Sequence, residues 1–398
     1  MKRQYPVQSL AVFCVLFLFC LGLSAQDVST DAKIDTKTKV AQLFELGNSY
    51  MSEKKYDQAI DTYRELLKIE PMHPSAFANL GASLANSKRF PEAAEAYKSA
   101  IELNSTHAPF HVDLGGVYMS LRRWDDSLAE FNEAIRLDPN RGDTYNMLGF
   151  LYDNTRRYEE ALAANKKAAE LAPENPANFH NIGLMYIKLG RYAEALAPLE
   201  RALKMAPSYQ SARYHLANAF SKLGRYKESI DSYAKLLERD PDSADLIASR
   251  AWNYMYMGGS GREAAADAEH YLKLFGWRTE SGPYQGLIAI ISFRSAGLDD
   301  KAAAVISQAQ RKADATIWPF KIIRFFDGQI TADELLAVAA STDQRTEAHA
   351  YIGMDLRLKN KSAEARTHFE WVKQYGNPTF YEYSLALAEL ERADHPIK

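Results

Sequence analysis

Cysteine is nearly absent from this chain, which has two among its 398 residues. Both of them, Cys14 and Cys20, lie in an apolar amino-terminal segment. The residues before them, Phe13 and Phe19, are too large for a bacterial lipid-attachment motif. A chain with no cysteine after this segment has no disulfide framework and no thiol nucleophile there. Disulfide stabilisation and cysteine catalysis are therefore excluded beyond residue 20.

An excess of positive charge is also missing, because 48 lysines and arginines stand against 51 aspartates and glutamates. The net charge of −3 suits phosphate backbones poorly, so we expect no nucleic-acid partner. The HExxH, GxSxG and phosphate-loop motifs do not occur. His107 and His111 are four residues apart, but Pro109 between them indicates a break between helices. We expect no catalytic residue, no metal and no cofactor.

Long apolar runs are limited to one, over residues 10–23. Lys2 and Arg3 precede this run, and small residues follow it at 24–25. A basic start, a short apolar run and a small-residue cleavage site are typical of a secretory signal peptide. We predict a signal peptide over residues 1–25 and an exported bacterial protein, periplasmic or secreted.

The alternative is an uncleaved membrane anchor through residues 10–25. The apolar run falls short of the ~20 residues that span a bilayer, which favours cleavage. After cleavage we expect no stable membrane span. The polar and aperiodic residues 26–39 predict a flexible lead-in to the folded part.

A 34-residue period runs through residues 40–243 and defines six units. Position 8 of each unit holds a small residue: Gly47, Gly81, Gly115, Gly149, Gly183 and Ala217. Position 20 is small again: Ala59, Ala93, Ser127, Ala161, Ala195 and Ser229. Position 11 is aromatic in five units: Tyr50, Tyr118, Tyr152, Tyr186 and Phe220. Position 32 is proline in five units, Pro71, Pro139, Pro173, Pro207 and Pro241, and Ser105 takes its place in the remaining one.

Each unit has the pattern of two short amphipathic helices, because apolar residues recur at i, i+3, i+4 and i+7. The small residues at positions 8 and 20 predict a close crossing of the paired helices. We expect Gly149 to accept alanine but not leucine, since overpacking costs about 1–3 kcal/mol. Gly190 indicates a left-handed turn between helices, and the proline ends the second helix.

This combination of positions resembles the tetratricopeptide repeat. The resemblance implies an all-α, right-handed superhelical solenoid of stacked helix-turn-helix units with a carboxyl-terminal capping helix. It divides the chain into six regular units over 40–243, divergent helical repeats over 244–345, a final unit over 346–377 and a capping helix over 378–393.

Residues 317–390 carry a narrower resemblance. The segments "IWPFKIIRFFDGQITADELL", "TEAHAYIGMDLRLKNKSAEARTHFEWV" and "NPTFYEYSLALAEL" follow one another as in the carboxyl-terminal portion of NlpI-type envelope lipoproteins. That family implies a helical-repeat adaptor of the bacterial cell envelope that docks other proteins and dimerises. The lipidated cysteine of that family has no counterpart here, so its membrane attachment is not expected.

In tetratricopeptide proteins the first helix of each unit lines a concave groove. The groove-facing positions here select Asn48, Asn79, Asn146, His180, Asn181, Tyr214, Asn218 and Trp252. Asparagine both donates and accepts, so a row of amides suits the backbone of an extended peptide. The alternative is that these are ordinary helix-surface residues. The family's clamp for acidic peptide tails needs basic residues where Phe44, Pro109 and Asp113 stand, so such a clamp is not expected.

We therefore predict an exported scaffold or adaptor that binds proteins or peptides in this groove and has no catalytic activity. Four tryptophans follow residue 250 and form either core or an aromatic surface for docking or homodimerisation: Trp252, Trp277, Trp318 and Trp371. Two further alternatives stay open. One is a structural part of an envelope or secretion assembly. The other is an enzyme with its site in 252–345, which an acid pair facing one cleft would favour.

Overall fold

The computed structural model describes residues 25–395, with side chains from residue 35 onwards. This part of the chain contains 21 helices and no strand, which confirms the all-α prediction. The signal peptide predicted over residues 1–25 lies, except for its last residue, outside the described residues. None of the described helices is both long and apolar enough to cross a bilayer.

The chain divides into two compact units, and the first ends at Leu171. Its described part consists of four helix pairs: α1 (Ala25–Ser52) and α2 (Tyr56–Ile69), α3 (Pro74–Asn86) and α4 (Phe90–Leu103), α5 (Ala108–Ser120) and α6 (Trp124–Leu137), α7 (Gly142–Asn154) and α8 (Tyr158–Leu171). The two helices of each pair pack against one another, and each pair packs against the next. This arrangement is the helix-pair stacking that the repeat predicts.

The flexible lead-in predicted over residues 26–39 is helical in the structure. Helix α1 extends from Ala25 and runs without interruption into the first repeat. No proline or glycine occurs before Gly47 in this helix, so nothing in its backbone chemistry ends the helical hydrogen bonding. The polar and aperiodic composition of this segment was therefore a poor guide to its secondary structure.

The glycine at position 8 makes room for a side chain of the second helix, 16 residues later. A Cβ atom added to Gly115 would lie 2.6 Å from the ring of Phe131, and one added to Gly81 would lie 2.8 Å from the ring of Tyr97. Position 20 faces the same crossing, where the buried Ser127 hydroxyl donates to the carbonyl of Gly115 over 2.8 Å. The small residues are therefore packing positions.

The expectation that Gly149 accepts alanine is wrong. A Cβ atom at this residue would lie 2.3 Å from Oδ1 of Asn165. Asn165 is itself buried between the helices, so its short side chain has no free space into which it can move. Alanine at position 149 is overpacked by the same contact that excludes leucine.

The turn between the helices of a repeat requires one residue in the left-handed conformation. Gly190 and Gly224 occupy this position with φ of 72° and 74°. In the other regular repeats a lysine or arginine adopts nearly the same φ, between 58° and 62°: Lys54, Lys88, Arg122 and Arg156. A residue with a Cβ atom has a steric cost of about 1–2 kcal/mol in this conformation.

Replacing Lys88 by glycine is expected to raise the free energy of unfolding by about 0.5 kcal/mol, because relief of the left-handed strain exceeds the extra unfolded-state entropy of glycine. Urea denaturation measures the change. The reciprocal variant Gly190→Ala serves as the control and is expected to lose stability. Equal destabilisation by both variants would contradict the assignment of strain to this turn.

The second unit begins at Ala172 and contains thirteen helices within the described residues. They are α9 (Pro176–Lys188), α10 (Tyr192–Met205), α11 (Gln210–Lys222), α12 (Tyr226–Leu237), α13 (Ala244–Met257), α14 (Gly261–Phe275), α15 (Gly282–Ser295), α16 (Asp299–Lys312), α17 (Trp318–Phe326), α18 (Ala332–Val338), α19 (Thr342–Leu358), α20 (Ser362–Tyr375) and α21 (Tyr381–Asp394). Helices α17 and α18 are short and are joined at Asp327 and Gly328.

The carboxyl-terminal helix α21 packs on α19 and α20 and also returns to α13. The Tyr256 hydroxyl of α13 donates to the carbonyl of Tyr381 over 3.1 Å, and the Arg392 guanidinium donates to the carbonyl of Tyr256. A single apolar core joins the buried residues from Ala251 to Leu390. The irregular repeats of the second unit therefore close on one another around this core.

Candidate functional site

Two of the asparagines predicted to line a groove, one in each unit, accept a hydrogen bond from a tyrosine of their own helix pair. In the first unit Asn48 Oδ1 accepts from the Tyr63 hydroxyl at 2.7 Å and from the Asn79 amide at 2.9 Å. In the second unit Asn218 Oδ1 accepts from the Tyr233 hydroxyl. Because the buried phenols of Tyr63 and Tyr233 need an acceptor, these asparagines have a structural role within their own helix pairs.

His180 and Asn181 lie together on α9. The His180 ring is buried and its Nδ1 lies 3.2 Å from Asn181 Oδ1, while its face packs on the rings of Tyr209 and His215. Burial lowers the pKa of His180, and burial together with the neighbouring His180 lowers the pKa of His215 to about 4. Both imidazoles are neutral at physiological pH, which makes this cluster a packing element.

Asn146 lines an open groove of about 530 Å³ in the first unit. The walls come mainly from the first helices α3, α5 and α7, and they combine apolar residues with the acids Asp113 and Asp143. Nearby on α7, Phe150 is 56% exposed although it is aromatic. The groove offers apolar, amide and acidic surface to an extended segment.

A second cavity, of about 540 Å³, lies in the second unit, and we call it the aromatic-acidic cavity. It brings together two predicted residues, Tyr214 of α11 and Trp252 of α13. Helices α13, α15, α19 and α21 and the segments before α15 and α21 contribute the other lining residues: Asp245, Ala248, Ser249, Glu280, Ser281, Tyr284, Gln285, Glu347, Thr379, Phe380, Tyr381 and Glu382.

Two buried carboxyl groups face this cavity, Glu347 at 2% and Glu382 at 3% exposure. Glu347 accepts from the Tyr284 hydroxyl at 3.1 Å and from the Trp318 indole at 3.0 Å. Glu382 accepts from the Tyr351 hydroxyl at 2.9 Å. Every one of these donors is neutral, so neither carboxylate is balanced by a positive charge.

The environment favours the protonated form of both acids. Burial raises the pKa of Glu347, and the nearby Glu382 raises it further. Burial also raises the pKa of Glu382. Two interacting carboxyls lose their protons in steps that belong to the pair, so the pair retains a proton well above the pH at which an exposed glutamate ionises.

This acid pair was not predicted from the sequence, and both of its residues lie outside the region 252–345 in which an acid pair would have favoured an enzyme. A signal for it was present: Glu347, Tyr351 and Met354 follow the i, i+4, i+7 spacing of a buried helix face. Glu382 shares such a face with Leu385 and Ala386. A carboxyl on the apolar side of a helix marks either a paired charge or a site.

The sequence matches the family described as the C-terminal domain of cilia and flagella-associated protein 70, a tetratricopeptide-repeat domain. The match covers residues 22–252, which is more than half of the chain. The chain belongs to this tetratricopeptide-repeat family. The resemblance to the tetratricopeptide repeat is thereby confirmed, while the narrower resemblance to NlpI-type lipoproteins is not shown. No curated protein matches the sequence.

Several solved structures have a similar arrangement of tetratricopeptide repeats. The C-terminal part of a TPR repeat-containing protein from Cytophaga hutchinsonii is 16% identical with a TM-score of 0.53, covering 61% of this chain and 98% of that one. YrrB, described as a TPR protein with an unusual peptide-binding site, is 25% identical with a TM-score of 0.42, covering 46% and 93%. TTC0263 from Thermus thermophilus is 23% identical with a TM-score of 0.39, covering 46% and 98%. Of these three similarities, the one to the Cytophaga hutchinsonii protein supports the assignment of the tetratricopeptide-repeat fold.

As a tetratricopeptide-repeat protein, the chain has the fold of a protein-interaction scaffold. Two concave sites of its described residues, one in each unit, have volumes of about 530 and 540 Å³: the groove beside Asn146 and the aromatic-acidic cavity. The tryptophans of the second unit are largely internal, since Trp252 and Trp277 are buried and Trp318 and Trp371 are partly buried against the core.

Proposed function

We propose that this protein is an exported adaptor whose first unit holds an extended segment of a partner protein. The observation that carries the proposal is the groove lined by α3, α5 and α7. Its lining combines Asp113 and Asp143 with amides and apolar side chains, and Asp143 is paired with Arg141 at 2.8 Å, so Asp113 supplies the uncompensated negative charge. Apolar surface supplies affinity, and the acids favour a neutral or basic segment over an acidic one.

A bulky residue at Gly116 tests this site. A Cβ atom at Gly116 would meet only Met147, at an ordinary distance of 3.6 Å, so a side chain here extends into the groove without disturbing the helix pair. Gly116→Phe is expected to weaken the binding of display-selected peptides by about tenfold or more, equivalent to about 1.4 kcal/mol. Fluorescence anisotropy with labelled peptides measures the affinity.

The matched control places the same aromatic outside the groove. Glu95 is 73% exposed on α4 and lies outside the groove lining, so Glu95→Phe adds the same apolar surface elsewhere. Unchanged affinity in Gly116→Phe, with the parent's circular dichroism spectrum, would remove the groove from the proposal. Replacing Asn146, Asn181 and Asn218 together by alanine is a poorer test, because Asn218 also holds Tyr233.

Export rests on the leader predicted over residues 1–25. Expression in a bacterial host, followed by fractionation and amino-terminal sequencing of the exported protein, is expected to give a first residue near Ala25 or Gln26. A protein that retains Met1 or Lys2 in the membrane fraction would instead be anchored through residues 10–25. Sedimentation of the mature protein tests the predicted dimer in the same preparation.

An enzyme is the second candidate, because Glu347 and Glu382 form an acid pair that faces one cleft. Such pairs serve general acid and base catalysis when one carboxyl is protonated and the other ionised. Product formation from peptide or glycan pools, lost in Glu347→Gln, would support an enzyme. Stoichiometric recovery with a large envelope complex would instead indicate a structural component.

A further inference from the structure

The aromatic-acidic cavity contains negative charge and acceptors without a matching positive group. Four acids line it, Asp245, Glu280, Glu347 and Glu382. No lysine, arginine or histidine of residues 25–395 is among its lining residues. The potential inside such a partly enclosed cavity is negative whenever one of these acids is ionised.

Buried acids elsewhere in the described part of the second unit are each paired with a lysine or arginine, so the lack of a positive partner is specific to the cavity. Asp267 is held by the Arg250 guanidinium at 2.7 and 2.8 Å. Asp355 pairs with Lys359 at 2.6 Å, and Glu389 pairs with Arg357 at 3.0 Å. Buried charges are ordinarily compensated in this way. The other two buried acids of the described chain, Glu347 and Glu382, are those that face the cavity.

An independent observation comes from Gln285 of α15. This side chain is 1% exposed and lines the cavity, yet its Oε1 has no hydrogen-bond partner. Leaving a buried acceptor unsatisfied costs about 1–3 kcal/mol, so such a group points to a missing donor. Because Gln285 lines the cavity, a ligand bound there is a source of that donor.

Aromatic rings form the remaining wall. Trp252 stacks on Tyr381 with ring centroids 5.3 Å apart and planes at 9°. Tyr381 is 55% exposed, so one face of its ring is open while the other is covered by Trp252. Tyr214, Tyr284 and Phe380 also line the cavity. Aromatic faces attract cations, and the attraction grows when the cation leaves water.

We propose that the aromatic-acidic cavity binds an organic cation, an ammonium or guanidinium group at the end of an alkyl chain. The group donates hydrogen bonds to Gln285 and to the Glu347 and Glu382 carboxylates, and its alkyl chain packs on Trp252 and Tyr381. A cavity of about 540 Å³ is in the size range of small-ligand sites. The cation is carried either by a free diamine-like molecule or by a lysine or arginine side chain of a partner.

Binding of the cation is coupled to loss of a proton. The raised pKa of both glutamates keeps a proton on the pair near neutral pH, and a bound cation favours the ionised form. The neighbouring titratable groups are Asp245, Glu280, Asp343 and the tyrosines at 214, 284, 351 and 381. None of these groups supplies a competing positive charge.

Calorimetry on the full chain at pH 7.5 tests the proposal with four probes: butylguanidine, its neutral isostere butylurea, a blocked arginine tripeptide and the same peptide with citrulline. The cations are expected to bind at least about tenfold more tightly than their neutral counterparts, the ratio expected when a charged hydrogen bond is lost. The heat is expected to depend on the buffer's ionisation enthalpy, which reports proton release.

Three variants define the site. The double change Glu347→Gln with Glu382→Gln is expected to abolish the preference for cations and the proton release. Gln285→Leu is expected to weaken binding while leaving proton release in place. Glu364→Gln is the control, because this residue is 59% exposed on α20 and lies outside the cavity lining. Thermal melting checks that each variant is folded.

The four probes distinguish between the two possible sources of the cation. Binding of butylguanidine assigns the cavity to a free cation, and binding of the arginine peptide alone assigns it to a partner's side chain. Equal affinity for neutral and cationic probes, no binding of any cation, or unchanged binding by the folded double variant would overturn the proposal. The inference is independent of the groove in the first unit, because Gly116→Phe leaves the cavity residues unaltered.

Discussion

Gly115→Ala is expected to lower the free energy of unfolding of the first unit by about 2 kcal/mol, the middle of the range for an overpacked core. A Cβ atom at Gly115 would lie 2.6 Å from the ring of Phe131, and that ring is completely buried. The ring has no space on its other side, so either the helices separate or the side chain leaves its rotamer. Both responses cost packing energy that the better helix propensity of alanine does not recover.

The adjacent glycine provides the control for the Gly115 prediction. At Gly116 an added Cβ atom would have only one neighbour, Met147 at 3.6 Å, so Gly116→Ala is expected to gain up to about 1 kcal/mol from helix propensity. Urea denaturation of the two variants measures opposite changes from the same substitution, one residue apart. Equal changes in the free energy of unfolding of the two variants would contradict this account. They would show that the aromatic ring at position 24 of the repeat is not the reason why position 8 must hold a small residue.

The second prediction with a large expected effect concerns how the free energy of unfolding depends on pH. Glu347→Gln is expected to stabilise the second unit relative to the parent at pH 8, by about 2–4 kcal/mol at 1.36 kcal/mol per pKa unit, and to have little effect at pH 5. A raised carboxyl pKa contributes stability that is complete below the unfolded pKa. That stability is lost as the pH rises through the folded pKa. The parent therefore loses more stability between pH 5 and pH 8 than the variant, in which only Glu382 of the pair still ionises.

The difference in stability between the parent and Glu347→Gln separates the effect of this glutamate from the effects of the buried histidines. The lowered pKa values of His180, His215, His349 and His368 act in the opposite direction, because neutral buried imidazoles lose stability as the pH falls below about 6.5. These residues contribute equally to both proteins. Chemical denaturation at pH 5, 6, 7 and 8 provides the data, with Glu364→Gln as the surface control. Parallel pH curves for parent and Glu347→Gln would contradict the coupled acid pair.

The fold was predictable to the extent that it depends on local repetition. The spacing of Gly81, Gly115 and Gly183 predicted helix pairs, and Gly190 predicted the left-handed turn. The contacts at position 8 were not predictable in detail, because the side chain that fills the space stands 16 residues away and differs between repeats: Tyr97, Phe131, Leu199. Packing of this kind depends on which pairs of residues meet, and the period alone does not contain that information.

The candidate site was predictable only in part. Repeat positions selected Tyr214 and Trp252, which the structure places in one cavity, but the same positions selected Asn48 and Asn218, which hold buried tyrosines. The pairing of Asn48 with Tyr63 and of Asn218 with Tyr233 at the same spacing was visible in the sequence. Glu382 could not be assigned, because its contribution depends on the return of α21 to α13 over more than a hundred residues.

The return of α21 also determines when the cavity exists during synthesis. Pairs such as α3 with α4 need only neighbouring sequence, so they can fold while the ribosome is still translating the later repeats. The cavity requires both Trp252 and Glu382. About 130 residues must be translated after Trp252 before the helix that covers it is available. During that interval an apolar indole and the face of α13 are open to chaperones and proteases. The early repeats can therefore fold first, and the aromatic-acidic cavity is complete only after α21 has been translated.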